Sequence, residues 1–108
     1  MNSNPKKIVI ASPNFLIAEG IRNFFKSNGF VSISVVENQD HLERTLMREV
    51  PNYVLIDDSA KQFKVEKTIA FLSFTKPAQT ILLSKTMNQE RFELLKKVGV
   101  RFFISNEI

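Results

Sequence analysis

The segment Ile8-Val9-Ile10-Ala11-Ser12-Pro13-Asn14 contains the strand-to-helix junction that decides the fold. The β-branched run from Lys7 to Ala11 is typical of a strand buried on both faces. Ser12 is a residue type that caps helices, and Pro13 suits the first helical position. A helix is therefore predicted up to Gly29, where glycine is typical of a helix end. Its apolar side chains recur at helical spacing at Ile17, Ile21, Phe24 and Phe25.

Four more strand-like segments follow, and each of the first three precedes a helical pattern. Residues 31–36 alternate apolar and polar side chains for most of their length, which is typical of a strand near a sheet edge. The other predicted strands are 53–56, 80–83 and 100–104. Four strand–helix repeats and a last strand predict an α/β sheet of parallel strands with helices on both faces.

The later helices are predicted from apolar stripes and from the residues that flank them. Asp40 and Glu43 have the spacing of a capping box, as do Thr86 and Gln89. Gly99 is expected to end the fourth helix. The first stripe is Leu42, Leu46 and Val50, and Pro51 is expected to end its helix. The other two stripes are Val65, Ile69 and Leu72, and Phe92, Leu95 and Val98.

The composition describes one small domain and excludes several kinds of site. A chain of 108 residues is long enough to bury a core without disulfides or metal ions. It contains no Cys and one His, which excludes a disulfide framework, a cysteine nucleophile and the common zinc sites. Its three Gly form neither of the common glycine-rich phosphate loops.

The net charge and the first residues of the sequence predict which partners the chain binds and where in the cell it is found. A net charge of +4 is modest, and the only local basic cluster is Lys61, Lys64 and Lys67, so we expect no direct binding of nucleic acid. No apolar run approaches the roughly 18 residues needed to span a bilayer. The first residues show no secretory signal, so a cytoplasmic location is expected.

Polar side chains follow several of the predicted strands. In parallel α/β sheets the functional crevice lies beyond the carboxyl ends of the strands. Any chemistry is therefore expected among the residues at those ends, which are Ser12, Pro13, Asp57, Ser84, Lys85, Ser105 and Asn106.

Several of these segments together resemble the receiver domain of bacterial response regulators, in the branch attached to LuxR/NarL-type DNA-binding domains. The segments 8–14 and Glu19-Gly20-Ile21-Arg22 look like the opening of that branch. Residues 51–57 resemble the stretch that leads to the phosphorylated aspartate. Residues 81–84 and 98–104 resemble the last two strands, so the similarity covers nearly the whole chain.

The resemblance implies a fold and a set of site positions. The fold would be flavodoxin-like (CheY-like), with a five-stranded parallel sheet in the order 2-1-3-4-5. Asp57 would be the phosphoacceptor position, and Ser84 and Phe103 the positions that respond to phosphorylation. Such domains act in two-component signal transduction, commonly through an attached DNA-binding domain or another protein.

Two departures from the family pattern predict a degenerate site. The metal-binding acidic pair falls on Ser12 and Pro13, and the lysine after the last strand falls on Asn106. Mg²⁺ prefers carboxylate oxygens, and phosphoryl transfer needs cations that offset the charge gathering on phosphorus. We therefore expect no cofactor, with Mg²⁺ bound weakly at best.

Other interpretations of these residues stay open. Asp57 at a strand end can act simply as a cap, and Lys85 can form an ion pair with Asp57 that mimics a filled site. Asp58 is expected to be solvated, because adjacent strand residues point to opposite faces. Phe102 and Phe103, near the end of the sequence, are candidates for exposed aromatic residues.

Three functions are compared at this stage. The leading hypothesis is a non-enzymatic pseudo-receiver that regulates transcription or signalling through protein contacts. The second is a working receiver phosphorylated on Asp57 by a histidine kinase. The third and weaker alternative is a small nucleotide-binding enzyme on the same fold.

The last expectation concerns the helix that follows the fifth strand in receivers. Residues 105–108 are too few for two helical turns, so this helix is absent from the sequence, as in a domain trimmed before its last helix. Exposed apolar patches usually mark an interface. We therefore predict self-association, most simply as a two-fold homodimer through the uncovered face.

Overall fold

Strands and helices alternate throughout the computed structural model, which describes residues 6–58, 62–74, 78–84 and 89–105. The strands are β1 (Lys6–Ala11), β2 (Phe30–Val36), β3 (Tyr53–Asp57), β4 (Gln79–Ser84) and β5 (Val100–Ser105). The helices are α1 (Phe15–Ser27), α2 (Gln39–Arg48), α3 (Val65–Phe74) and α4 (Gln89–Val98).

The five strands form one parallel sheet in the order β2-β1-β3-β4-β5. Ile10 of β1 pairs with Val35 of β2 on one side and with Leu55 of β3 on the other. Asp57 pairs with Leu83 of β4. The predicted fold class and strand order are confirmed, including the edge position of β2.

The two faces of the sheet carry separate apolar cores. Successive residues along a strand point to opposite faces, so Val9 and Ile10 belong to different cores. Helices α2, α3 and α4 cover the first face, where they bury Leu42, Leu46, Val65, Leu72 and Leu95. Helix α1 packs on the second face through Ile17, Ile21 and Phe25.

The second face is only partly covered by α1. On this face α1 packs against a cluster that includes Ile8, Ile10 and Leu55, while Phe102 and Ile104 of β5 remain 47% and 43% exposed. Within the described part of the chain, no other helix packs on this core. The uncovered region lies beside α1, toward the β5 edge.

The helix starts differ from those predicted. Asn14 is the N-cap of α1, and its side chain accepts a hydrogen bond from the backbone of Ile17 at 3.0 Å. Ser12 and Pro13 therefore lie outside the helix, and the cap prediction for Ser12 was wrong. Asn38 caps α2 in the same way, through His41 at 2.8 Å, so Asp40 lies inside the first turn.

The helix ends follow the predicted glycines better than the predicted proline. Gly29 and Gly99 follow α1 and α4 with φ of 92° and 122°, a backbone conformation that favours glycine. Helix α2 ends at Arg48, before Pro51. Val50 therefore lies outside the helix and is exposed, in contrast to the predicted stripe.

Some predictions concern residues outside the described ranges, namely Lys85, Thr86 and Asn106. In the ranges that are described, none of the helices has the length and apolar character needed to cross a bilayer.

Candidate functional site

The carboxyl ends of β1, β3 and β4 bring three buried polar residues to one edge of the sheet. Ser12 directly follows β1, Asp57 ends β3 and Ser84 ends β4. Their exposed fractions are 2%, 3% and 9%. The central strands β1, β3 and β4 are neighbours, so the sheet order itself places these residues together. This is the edge at which the sequence predicted a site.

Ser12 and Asp57 contact each other directly. The Ser12 hydroxyl donates to Asp57 Oδ2 at 3.4 Å and accepts from the Asn14 backbone at 3.3 Å. The hydroxyl thus holds the turn between β1 and α1 while facing the carboxylate. A neutral hydroxyl supplies neither a second carboxylate for a metal ion nor a positive charge for a phosphoryl group.

Pro13 adds no metal ligand to this edge of the sheet. Pro13 is exposed and carries no polar side-chain atom. In the part of the chain that the structure describes, no three His, Asp or Glu side chains form a group that can hold a metal ion. The described residues of this edge therefore fit a receiver's magnesium site poorly.

Asp58 forms a second polar cluster beside Asp57. Its backbone N–H donates to the Leu83 carbonyl at 2.8 Å, which fixes the turn after β3. Its carboxylate accepts from Arg91 at 2.7 Å (Nη2 to Oδ1) and 3.3 Å (Nε to Oδ2). The Asp58 side chain is only 14% exposed, so the prediction that it is solvated was wrong.

Arg91 joins this turn to two helices. It lies in the first turn of α4, and its Nη1 also donates to Glu66 of α3 at 3.1 Å. The hydrogen bonds to Asp58, followed by the charges of Asp58 and Glu66, raise the pKa of Arg91 above its usual value. A cation in the first helical turn opposes the helix dipole, and here the two carboxylates offset that cost. That unusual position was the signal in the sequence that could have indicated the contact.

Phe103 lies on the face covered by α4. Its ring packs on Phe92 with centroids 4.6 Å apart, and it contacts the core of that face. Phe103 is thus partly buried, whereas Phe102 on the opposite face is exposed. The prediction that both rings are exposed is therefore confirmed for Phe102 and wrong for Phe103. The switch roles assigned to Phe103 and Ser84 stay predictions, as does the ion pair between Asp57 and Lys85.

The fold is similar to solved structures of response regulators. A CheY-like receiver domain protein from Methanospirillum hungatei JF-1 superposes with a TM-score of 0.83 at 13% identity, covering 97% of this chain and 84% of that one. A response regulator from Thermotoga maritima gives a TM-score of 0.84 at 13% identity, with 97% and 87% covered. A LuxR family two-component response regulator from Aurantimonas sp. SI85-9A1 gives 0.81 at 12% identity, with 94% and 74% covered.

These similarities establish the fold of the chain as that of CheY-like receiver domains. No family model matches the sequence, and no curated protein matches it. A fold supports many activities, so function has to be argued from the residues of the site.

Proposed function

We propose that this chain is a pseudo-receiver, a regulatory module that signals through protein contacts without phosphorylation. The observation that supports this most directly is the edge of the sheet around Asp57. There the Ser12 hydroxyl faces the carboxylate at 3.4 Å, and the exposed Pro13 follows. The module acts in the cytoplasm, on a protein partner or an attached DNA-binding domain.

The chemistry of phosphoryl transfer explains why this edge is unsuited to it. Bringing a phosphoryl donor to a carboxylate gathers negative charge at one point, which Mg²⁺ and a nearby cation normally offset. Mg²⁺ is usually held in proteins by one or two carboxylates in a nearly octahedral set of oxygens. Asp57 offers a single carboxylate, and the Ser12 hydroxyl beside it is neutral.

Acetyl phosphate separates this function from a working receiver. We expect no mass increase of one phosphoryl group when the protein is incubated with acetyl phosphate and Mg²⁺ and then measured by intact mass spectrometry. The variant Asp57→Asn is the matched control, because it removes the carboxylate that a working receiver would phosphorylate. Stoichiometric phosphorylation of the native chain that Asp57→Asn abolishes would contradict the pseudo-receiver.

A working receiver is the second candidate, and the position of Asp57 favours it. The carboxylate ends β3, is 3% exposed and lies at the same edge as Ser84. Phosphorylation by a histidine kinase would then proceed at a metal site that lacks the carboxylates of positions 12 and 13. The acetyl phosphate experiment distinguishes the two functions.

A nucleotide-binding enzyme has less support. Phosphate-binding loops of α/β proteins place glycines between a strand and the following helix. Here Gly20 lies within α1, and Gly29 and Gly99 precede β2 and β5. All three glycines of the sequence therefore lie away from the carboxyl edge of the sheet.

A further inference from the structure

Lysines without an acidic partner gather at the edge of the sheet opposite the candidate site. Each helix runs back against the strands it connects, so the amino ends of the strands and the last turns of the helices meet at one edge. Several exposed lysines begin β1 or lie in the last turns of α1 and α4: Lys6, Lys7, Lys26, Lys96 and Lys97. Within the described part of the chain, none of them forms a salt bridge with an Asp or Glu side chain.

Three of these lysines surround the start of β2. Lys6 pairs with Phe30 in the sheet, and its ammonium group lies 5.8 Å from the centre of the Phe30 ring. Lys7 follows it, and α1 ends just before Phe30, which brings Lys26 to the same corner. The helix dipole favours a cation at the end of α1, but Lys6 and Lys7 begin a strand, where no dipole accounts for them. Residues 1–5 contain no Asp or Glu that could offset this charge.

An exposed valine lies beside the lysines because the edge strand is irregular there. Lys6 pairs with Phe30 and Lys7 with Ser32, so Val31 is an extra residue of β2 without a partner in β1. Such a β-bulge is uncommon between parallel strands, and bulges redirect the side chain that they insert. Val31 is 72% exposed. The bulge therefore presents an apolar side chain next to two cations.

A second exposed valine is held at the same corner by its neighbours in the chain. Glu49 accepts a hydrogen bond from the Ser34 hydroxyl of β2 at 3.0 Å. The backbone N–H of Lys7 donates to Asn52 Oδ1 at 2.8 Å, and the Asn52 N–H donates to the Lys7 carbonyl at 3.0 Å. Val50 lies between these two anchors and is 53% exposed.

We propose that this corner binds an acidic amphipathic segment of another protein. The amino-edge patch consists of Lys6, Lys7, Lys26, Val31 and Val50. Carboxylates of the segment lie against the three lysines, and its apolar side chains pack on the two valines, which supplies both charge complementarity and apolar burial. The patch lies at the opposite edge of the sheet from the phosphoacceptor position, so the inference goes beyond the proposed function and is independent of phosphorylation.

Two other kinds of partner fit the amino-edge patch less well. The phosphate backbone of DNA matches lysines but offers no apolar surface that could cover the two valines. Segments that bind membrane surfaces carry Trp, Phe or Leu, which enter the acyl boundary, whereas the apolar residues here are short valines. A protein segment offers carboxylates and apolar side chains together.

Fluorescence anisotropy with a labelled peptide tests the proposal. The probe is a peptide of about 15 residues of Glu, Leu and Ala, arranged as an amphipathic helix. The full 108-residue chain should bind it with a dissociation constant of about 50 µM at about 150 mM salt. Binding should weaken at least about fivefold at about 500 mM salt, because salt screens the attraction between exposed charges. The same peptide with Ser in place of Leu should bind at least about threefold more weakly.

Charge reversal tests the location of the patch. Lys6→Glu with Lys7→Glu should weaken binding at least about tenfold. Lys96→Glu with Lys97→Glu is the matched control, because it makes the same charge change at the same edge. Those lysines precede β5, three strands from β1 or about 14 Å, which exceeds the Debye length of about 8 Å at about 150 mM salt. The control should change the affinity less than about twofold. All four positions are exposed, so circular dichroism should show unchanged folding.

The apolar part of the patch has its own test. Val31→Ser with Val50→Ser should weaken binding about fivefold, whereas Leu94→Ser, at an exposed position of α4, should leave it unchanged. Equal losses in the Lys6/Lys7 and Lys96/Lys97 variants would overturn the patch, as would a native chain that leaves the peptide unbound at about 500 µM. Tighter binding to duplex DNA, or to phosphatidylcholine vesicles with about 30% phosphatidylserine, than to the peptide would overturn the assignment to a protein partner.

Discussion

The Ser12 hydroxyl makes two hydrogen bonds at the end of β1, and neither of them requires a charged side chain. It accepts from the Asn14 backbone and donates to Asp57 Oδ2 at 3.4 Å. Hydroxyl-to-carboxylate bonds are typically 2.5–2.7 Å long, so this contact is weak. Asp57 therefore keeps a neutral neighbour that orders the turn without strongly stabilising the carboxylate.

We expect Ser12 to limit the affinity of this edge of the sheet for Mg²⁺. We expect the native chain to bind Mg²⁺ no more tightly than the millimolar range, because position 12 offers a hydroxyl and position 13 a proline. Ser12→Asp together with Pro13→Asp should tighten binding at least about tenfold, as measured by titration calorimetry. Pro13 is exposed and α1 is capped by Asn14, so the helix start should survive the change.

The control for this experiment adds the same charge elsewhere. The double variant Met47→Asp, Val50→Asp places one carboxylate in the last turn of α2 and one just after the helix, both at exposed positions, and should leave Mg²⁺ affinity unchanged. Micromolar binding by the native chain would show instead that Asp57 recruits ligands other than the residues after β1.

At the scale of the elements, sequence patterns were sufficient to predict the described strands and helices and their succession along the chain, whereas the strand order in the sheet was implied by the resemblance to receiver domains. Buried runs such as 8–11 and 53–56 lie on the central strands, where both faces are covered. The helix starts were harder to predict, because several residue types can cap a helix and tertiary contacts decide among them. Ser12 was predicted as a cap, yet its hydroxyl lies at Asp57, 45 residues away in the sequence.

The position of Arg91 in the first turn of α4 was a signal in the sequence, but local patterns could not identify Asp58 as its partner. Thirty-three residues separate the two side chains, and the rule that neighbouring strand residues alternate does not apply to Asp58, because β3 ends at Asp57. The contact forms only once α4 packs over the carboxyl edge of the sheet. Pairings between distant charged residues depend on the folded geometry, which a single sequence does not specify.

Arg91 is expected to stabilise the attachment of α3 and α4 to the end of β3. Arg91→Gln should lower the free energy of unfolding by about 1–2 kcal/mol, because it leaves the mostly buried Asp58 carboxylate without its bidentate cation. Urea denaturation measures this. Arg22→Gln is the matched control: its pair with Glu19 is 3.7 Å long and exposed, so its loss should cost no more than about 0.5 kcal/mol. Equal effects of the two variants would mean that the Arg91 contacts add nothing beyond a surface pair.

At the scale of the whole molecule, the positive charge is divided among many local pairs. Arg22, Arg44, Arg48, Lys67 and Arg91 each lie within 4.0 Å of a carboxylate. These five cations are therefore offset locally, although the sequence as a whole carries a net charge of +4. Nucleic acid binding depends on several basic side chains that contact neighbouring phosphates together.

We accordingly expect no useful affinity for DNA. In fluorescence anisotropy with a labelled duplex at about 150 mM salt, half-saturation should require more than about 100 µM protein. Binding below about 10 µM that weakens steeply as salt is raised would indicate a basic surface that these ion pairs do not reveal.

The strand order also determines how the sheet is assembled during synthesis. Once β1 and β2 have paired, β3 adds to β1, β4 adds to β3 and β5 adds to β4, so every later strand joins the same growing edge. A nascent chain can thus build the sheet in the order in which its strands leave the ribosome, with no earlier pairing undone. Until β5 arrives, β4 is an open edge that can take part in unwanted strand pairing between nascent chains.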